Sequence, residues 1–348
     1  HPTNERGRVM VNTTYPDYIP FMTYAESPQA RAALYKEYAN RGYPTNLDNL
    51  AKLTSLREEK AQLLGYDTWA DYVTADKMIG SASNAAQFIE KIAMAAKDAA
   101  GRDYAQLLEV KRQDAPDASE VLDWEKGFYT NRLKKQLFAF DPQEVRPYFE
   151  YERVRQGIFD LTTDLFGVTY APVEDLDLWH EDVTAWDMFD GDVQVGRFYL
   201  DMHPRADKYG HAACFPYRNG VAEVQLPQAA LVCNFPNPRE AEGGVALMEF
   251  GQVSTFLHEF GHLIHHLFAG HRQWMSNSGI STEWDFVEAP SQLLEEWLYD
   301  AETLQSFAHH VETGEPIPVA LIDKIKASSD YGKGVNTAHQ AFYAALSL

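Results

Sequence analysis

Between Val245 and Ala269 the chain reads as one strongly apolar helix, and in its middle stand His258, Glu259 and His262 among Phe256, Leu257, Phe260, Leu263, Ile264 and Leu267. A helix that is apolar on nearly every side belongs in an interior. Two imidazoles and a carboxylate are expensive to bury there unless something engages them. The rest of the fold must therefore wrap this segment and still give those three side chains a task. Residues four apart share a helix face, so both imidazoles of His258-Glu259-Phe260-Gly261-His262 reach toward one point, while Glu259 projects about 100° further round. This is the HExxH arrangement, in which two imidazoles hold zinc. A catalytic zinc takes three protein ligands and keeps one position for water. A carboxylate beside that position can accept the water's proton as its oxygen attacks a carbonyl. Two ordinary core histidines hydrogen-bonded to backbone are the alternative, against which the joint burial of three such groups argues.

A third ligand has to come from downstream, where Trp284 to Gln292 supplies carboxylates. Glu288 is favoured, because a helix, a loop and a returning helix bring it alongside His262; Asp285, Glu283, Glu295 and Glu296 compete on spacing alone. Thr282 to Asp285 fits a capping box, which gives Asp285 a structural role. Pro290 suits a helix start or a kink. His266 can extend the zinc face, but it and His265 read more simply as hydrogen-bonded or rim histidines. His211, in Tyr209-Gly210-His211, reads either as a substrate neighbour or as part of a turn. The stretch from Ala269 to Thr282 reads as a loop between the ligand helices, passive or gating.

Up to residue 166 the periodicity predicts helices. One runs from Asn46 to Leu64 and closes at Gly65; another, capped by Asn84, buries Phe88, Ile89, Ile92, Ala93 and Ala96 and stops near Gly101. Further helices follow over Tyr104–Lys111, Trp124–Phe138 and Tyr151–Phe166. From Val168 to Phe235 the elements shorten: Asp190-Gly191 joins strands over Val183–Phe189 and Asp192–Met202, Asn219-Gly220 joins Cys214–Tyr217 to Val221–Leu226, and Ala229–Cys233 forms another strand. The expected fold is mostly α with a small β-region beside the HExxH helix, organised as a helical region over 1–166 and a metal-binding region over 167–348. Cys214 and Cys233 read as small core residues, too few for a disulfide framework, and Tyr343 as a core aromatic. With 30 basic against 51 acidic residues the net charge is −21, which repels nucleic acid and anionic membranes, and no apolar run is long enough to span a bilayer.

The HEFGH of His258–His262, followed by DFVEAPSQ over Asp285–Gln292, resembles the thimet oligopeptidase, neurolysin and oligopeptidase A family of zinc metallopeptidases. Arg197–Phe215, Gln225–Phe235 and Val145–Phe159 are similar to it as well, so the resemblance covers nearly the whole chain. It implies that His258, His262 and Glu288 bind one zinc ion and that Glu259 is the general base. It also implies a zincin-like, mostly helical fold whose two lobes enclose a channel that admits short peptides and excludes folded proteins. The expected activity is hydrolysis of internal bonds of short peptides by Glu-assisted attack of zinc-bound water. A dipeptidyl carboxypeptidase of the same family, or a zinc-bearing fragment inactive without a complementary chain, are the alternatives. Family members are longer, and the Gly- and Tyr-rich segment whose tyrosines stabilise the oxyanion has no counterpart before Leu348; Tyr299, Tyr331 and Tyr343 lie in other contexts. The chain is therefore expected to be a central part of the catalytic region, weakly active or inactive alone, and to self-associate or take up a complementary chain. It begins at His1 rather than Met, and the expected compartment is the cytoplasm, with a processed or exported form as the alternative.

Overall fold

A computed structural model describes residues 7–348. In chain order its elements are α1 (Tyr15–Tyr24), α2 (Pro28–Ala39), α3 (Leu47–Leu63), α4 (Trp69–Thr74), α5 (Ala82–Arg112), α6 (Asp123–Phe138), α7 (Tyr151–Phe166), β1 (Val168–Val173), β2 (Thr184–Asp190), β3 (Val193–Asp201), β4 (Ala213–Arg218), β5 (Gln228–Val232), α8 (Phe250–Phe268), α9 (Glu288–Glu295), α10 (Ala301–Phe307), α11 (Val319–Asp330) and α12 (Lys333–Ser347). The fold is mostly helical with one small sheet, as expected. It divides into two compact units, one of residues up to Ala139 with Ala327–Leu348, the other Phe140–Lys326. The boundary expected near residue 166 is thus displaced. Helix α7 goes with the sheet because Phe159 on it packs against Tyr170 of β1, Trp186 of β2 and Phe198 of β3, with ring centroids 4.5, 5.0 and 6.0 Å apart. Among the described residues no helix is long and apolar enough to cross a membrane.

In the first unit α5 is one continuous helix where the periodicity predicted a stop at Gly101 and a second helix after it. A glycine inside a helix costs about 1 kcal/mol relative to alanine, and burial beyond it offsets that. Leu107 and Val110 form a buried cluster with Tyr129 and Leu133 of α6. The N-cap is Ser81, whose hydroxyl accepts from the Asn84 amide, rather than Asn84 itself. Helix α12 lies close along α5: a Cβ at Gly334 would stand 2.5 Å from the backbone of Ala99 and Ala100. Tyr343 on α12 is exposed, its ring 4.6 Å from that of His339, rather than in the core; the side chain that α12 buries is Ala341.

In the second unit the sheet order is β1-β2-β3-β5-β4. Strands β1, β2 and β3 are antiparallel neighbours, with the expected hairpin at Asp190-Gly191, where Gly191 has φ 58°. The parallel pairing of β3 with β5 leaves β4, antiparallel to β5, at the edge. The expected hairpin at Asn219-Gly220 does not form. Val221 and Gln225 close a tight turn on each other instead, and Gly220 serves a close approach: a Cβ there would stand 1.8 Å from the Gly270 carbonyl oxygen. Helix α8 packs on β3, β4 and β5, and α9 returns along it. It begins later than expected because the preceding residues pair with backbone, Ala246 accepting from Tyr151 and Met248 donating to Phe149.

Candidate active site

The five residues His258–His262 of α8 point to four sides, the two histidines sharing one, as a step of about 100° per residue dictates. Phe260, on the far side from the histidines, is fully buried, with its ring 5.6, 5.9 and 6.0 Å from those of Phe159, Tyr170 and Phe198. This contact bolts the helix to the sheet. His258 and His262 then point the other way, rings 4.9 Å apart. On one flank of them, Gly261 faces α9 so closely that a Cβ would stand 2.7 Å from Ser291 Cα. On the other, buried Glu259 lies against the edge strand, beside the backbone amide of Cys214.

The close approach at Gly261 brings Glu288, the first residue of α9, over the histidine pair. Its Oε2 lies 3.1 Å from His258 Nε2 and 3.0 Å from His262 Nε2. One ligand atom from each of the three residues lies within 4.8 Å of the others, and no other such trio occurs among the described residues. Two imidazole nitrogens and a carboxylate oxygen are the donor set of a catalytic metal ion, so these residues fit one. Ser291 donates to the same Oε2 at 3.0 Å and to the Glu288 carbonyl at 2.9 Å, tying the carboxylate to its own helix. Pro290 sits in the first turn of α9, where a missing N–H leaves nothing unsatisfied.

The other carboxylates weighed from the sequence fall elsewhere. Asp285, Glu283 and Glu296 stand outside the trio. The capping box expected over Thr282–Asp285 is absent: Thr282 donates to Glu283, turns carry the chain to Val287, and α9 starts only at Glu288. Glu295 does reach one of the histidines, but from behind, its Oε1 lying 2.7 Å from His258 Nδ1. That hydrogen bond raises the His258 pKa above its ordinary value against the effect of burial. Burial lowers His262, and it pushes the Glu259 carboxyl up, with His258 and the Cys214 amide pulling the other way. His266 is fully buried and its Nε2 meets the Arg218 carbonyl at 3.2 Å, the hydrogen-bonded role expected for it. At His211 the carbonyl accepts from Asn234, and the ring lies beside Tyr209. The 269–282 loop is pinned through Ala222 to Arg272 and Asn219 to Met275. Both cysteines are free thiols.

Sequence reasoning passed over Gly261, Ser291, the Cys214 amide and the second use of α9. The helical spacing of Ser291 and Glu295 from Glu288 was the available signal for two of these.

The family model described as Peptidase family M3 matches residues 21–348. Oligopeptidase A of Escherichia coli (strain K12) is 32% identical over 330 residues, covering 91% of this chain and 48% of that protein. The organellar oligopeptidase A of Arabidopsis thaliana, chloroplastic and mitochondrial, is 33% identical over 360 residues, covering 99% of this chain and 45% of its own length. Saccharolysin of Saccharomyces cerevisiae is 31% identical over 350 residues, 96% of this chain and 49% of that protein. The chain spans about half the length of the curated relatives it matches.

Proposed function

The chain belongs to peptidase family M3, and on that premise we propose that it is the zinc-holding part of an oligopeptidase that hydrolyses internal bonds of short peptides. The observation that carries this reading is the meeting of His258 Nε2 and His262 Nε2 on Glu288 Oε2, at 3.1 and 3.0 Å, with Glu259 on the adjoining face of the same helix. His258, His262 and Glu288 would hold the ion, and zinc suits that donor set. When bound, zinc supplies Lewis-acid polarisation of the scissile carbonyl and acidifies the attacking water.

The chain's own residues handle the proton and place the substrate. Glu259 accepts the proton that water releases as its oxygen bonds to the carbonyl carbon. It returns that proton to the amine nitrogen as the C–N bond breaks. Its burial against the edge strand keeps the carboxylate in place for both transfers. Strand β4, which carries Cys214, is the sheet edge, with Phe215 and Tyr217 exposed beside it. An extended peptide can add to such an edge main chain to main chain, next to Glu259. Short peptides offer that conformation freely and folded proteins seldom do, which supports the substrate class.

Zinc titration of the metal-free chain should find one site per chain, lost in His258→Ala, His262→Ala and Glu288→Ala. Glu259→Gln should keep the zinc and lower hydrolysis of quenched short peptides by roughly 10²–10⁴-fold. The assay is run on the chain alone and with a polypeptide supplying the remaining length of a relative. Zinc binding indifferent to the three ligand substitutions, or full turnover in Glu259→Gln, would sink the reading.

A further inference from the structure

Helix α9 reaches the histidine pair twice. Glu288 at its first residue and Glu295 at its last are seven apart, close to two full turns, so both side chains leave the same face of the helix. Glu288 Oε2 meets His258 at Nε2, 3.1 Å away, and Glu295 Oε1 meets the same ring at Nδ1, 2.7 Å away. The second oxygen of Glu295 accepts from the Ser254 hydroxyl at 2.9 Å. Ser254 stands one turn before His258 on α8, so one face of α8 grips both oxygens of Glu295.

Both ring nitrogens of His258 face carboxylate oxygens, Nδ1 that of Glu295 and Nε2 that of Glu288. A nitrogen that is to hold an ion must offer its lone pair, so with Nε2 turned to the trio the ring's proton belongs on Nδ1, where it donates to Glu295. His262 has no comparable support: its Nδ1 is buried without a hydrogen-bond partner. On that side the ring is held by packing alone. The two histidines of the trio are therefore not equivalent.

We propose that Glu295 is a positioning residue for the metal site: it sets the tautomer and ring plane of His258, and Ser254 holds Glu295 to that task. The inference rests on the reading above that His258, His262 and Glu288 hold the ion. Outer carboxylates of this kind orient a ligating imidazole and strengthen it as a donor. The competing explanation is a plain tie between α8 and α9, because both side chains retain some exposure, 24% for His258 and 30% for Glu295.

The test uses zinc affinity by chelator competition and the visible spectrum of the Co²⁺-loaded protein. Both are measured for the wild type, Glu295→Ala, Glu295→Gln, Ser254→Ala, the neighbouring control Glu296→Gln, and His258→Ala. Glu295→Ala should weaken zinc about 10- to 100-fold and change the Co²⁺ spectrum. Glu295→Gln, whose amide oxygen still accepts from Nδ1–H, should fall between it and the wild type. Ser254→Ala should lose less than that range, about a few-fold, and Glu296→Gln nothing. Tm without metal separates the two explanations. A lowered metal-free Tm in Glu295→Ala with affinity and spectrum intact would make Glu295 a helix tie and overturn the proposal. Should Glu295→Ala fail to fold, unchanged affinity and spectrum in Glu295→Gln and Ser254→Ala together would overturn it as well. If His258→Ala itself leaves zinc bound, the ligand assignment has failed. If His258→Ala abolishes binding while Glu295→Ala changes nothing, only the positioning role has failed.

Discussion

Helices α5 and α8 each carry a phenylalanine and a glycine inside the helix, and the two pairs live in opposite surroundings. Phe88 of α5 is 56% exposed although periodicity places it on a buried face, and the space a Cβ would take at Gly101 is open. In α8, Phe260 is fully buried among aromatic rings from α7, β1 and β3, and Gly261 lies against the backbone of α9. The residue types are the same, yet one pair is dispensable by its contacts and the other sets where His258, His262 and Glu288 stand. A helical pattern says which residues share a face; what that face meets decides how much each one matters.

The sharpest way to break this comparison is to truncate both phenylalanines. Removing a buried aromatic side chain typically costs about 3–5 kcal/mol, while exposed positions away from special features move stability by about 0.5 kcal/mol or less. Phe260→Ala should therefore lower stability by an amount in the first range, and Phe88→Ala by one in the second. Denaturant unfolding of the two variants checks this. Similar losses would mean that α5 holds its phenylalanine in a contact the exposure does not reveal.

A second test uses pH and again concerns the sheet unit. Asp201, at the end of β3, is buried, and burial on its own would raise its carboxyl. Hydrogen bonds from Arg205, the Trp179 ring and Lys208 outweigh that and hold it well below the usual carboxylate range. Its unfolded value is about 3.9. A group whose folded pKa is depressed contributes stability in full above its unfolded value and loses it as pH falls toward the folded one. The wild type should thus lose stability as pH drops below about 4, and Asp201→Asn should show a flatter profile there. At neutral pH the variant should be less stable by about 3 kcal/mol, because buried Lys208 is left without its carboxylate. Tm measured from pH 6 down to pH 3 decides it; parallel curves for the two proteins would remove Asp201 from the acid response.

What could be read from the sequence follows the same division. The bounds of α7 and the hairpin at Asp190-Gly191 rest on local pattern, and the structure has them where that pattern put them. The HExxH histidines, too, share a face by helical spacing alone. Illegible features depend on partners remote in the chain. Gly101 breaks a helix locally, but the burial of Leu107 and Val110 against α6 carries α5 through it. Asn219-Gly220 is a good hairpin dipeptide, yet the pairing of β3 with β5 supplies β4 with a better partner. Glu295 reads as one more candidate ligand, because its spacing puts it on the same helix face as Glu288 without saying that it approaches His258 from behind.

The smallest effect makes the finest test of the comparison: the same substitution at two glycines should change stability in opposite directions. At Gly101 an alanine meets nothing within 4 Å, the backbone is already helical, and the gain comes from a less flexible unfolded chain. Gly101→Ala should stabilise by about 0.4–1 kcal/mol. At Gly261 the added methyl would press on Ser291 Cα from 2.7 Å, with the Pro290 carbonyl oxygen at 3.3 Å, and backbone cannot rotate aside as a side chain does. Overpacking of this kind costs about 1–3 kcal/mol. Because the displaced backbone is that of α9, Gly261→Ala should also move Glu288 away from His258 and His262, so zinc affinity should fall along with Tm. A Gly101→Ala protein with unchanged affinity and a slightly higher Tm, beside a Gly261→Ala protein that loses both, is the expected pair. A Gly261→Ala variant as stable and as tightly metal-binding as the wild type would show that α9 shifts without strain, and that the small residue between the histidines does not set the distance to Glu288.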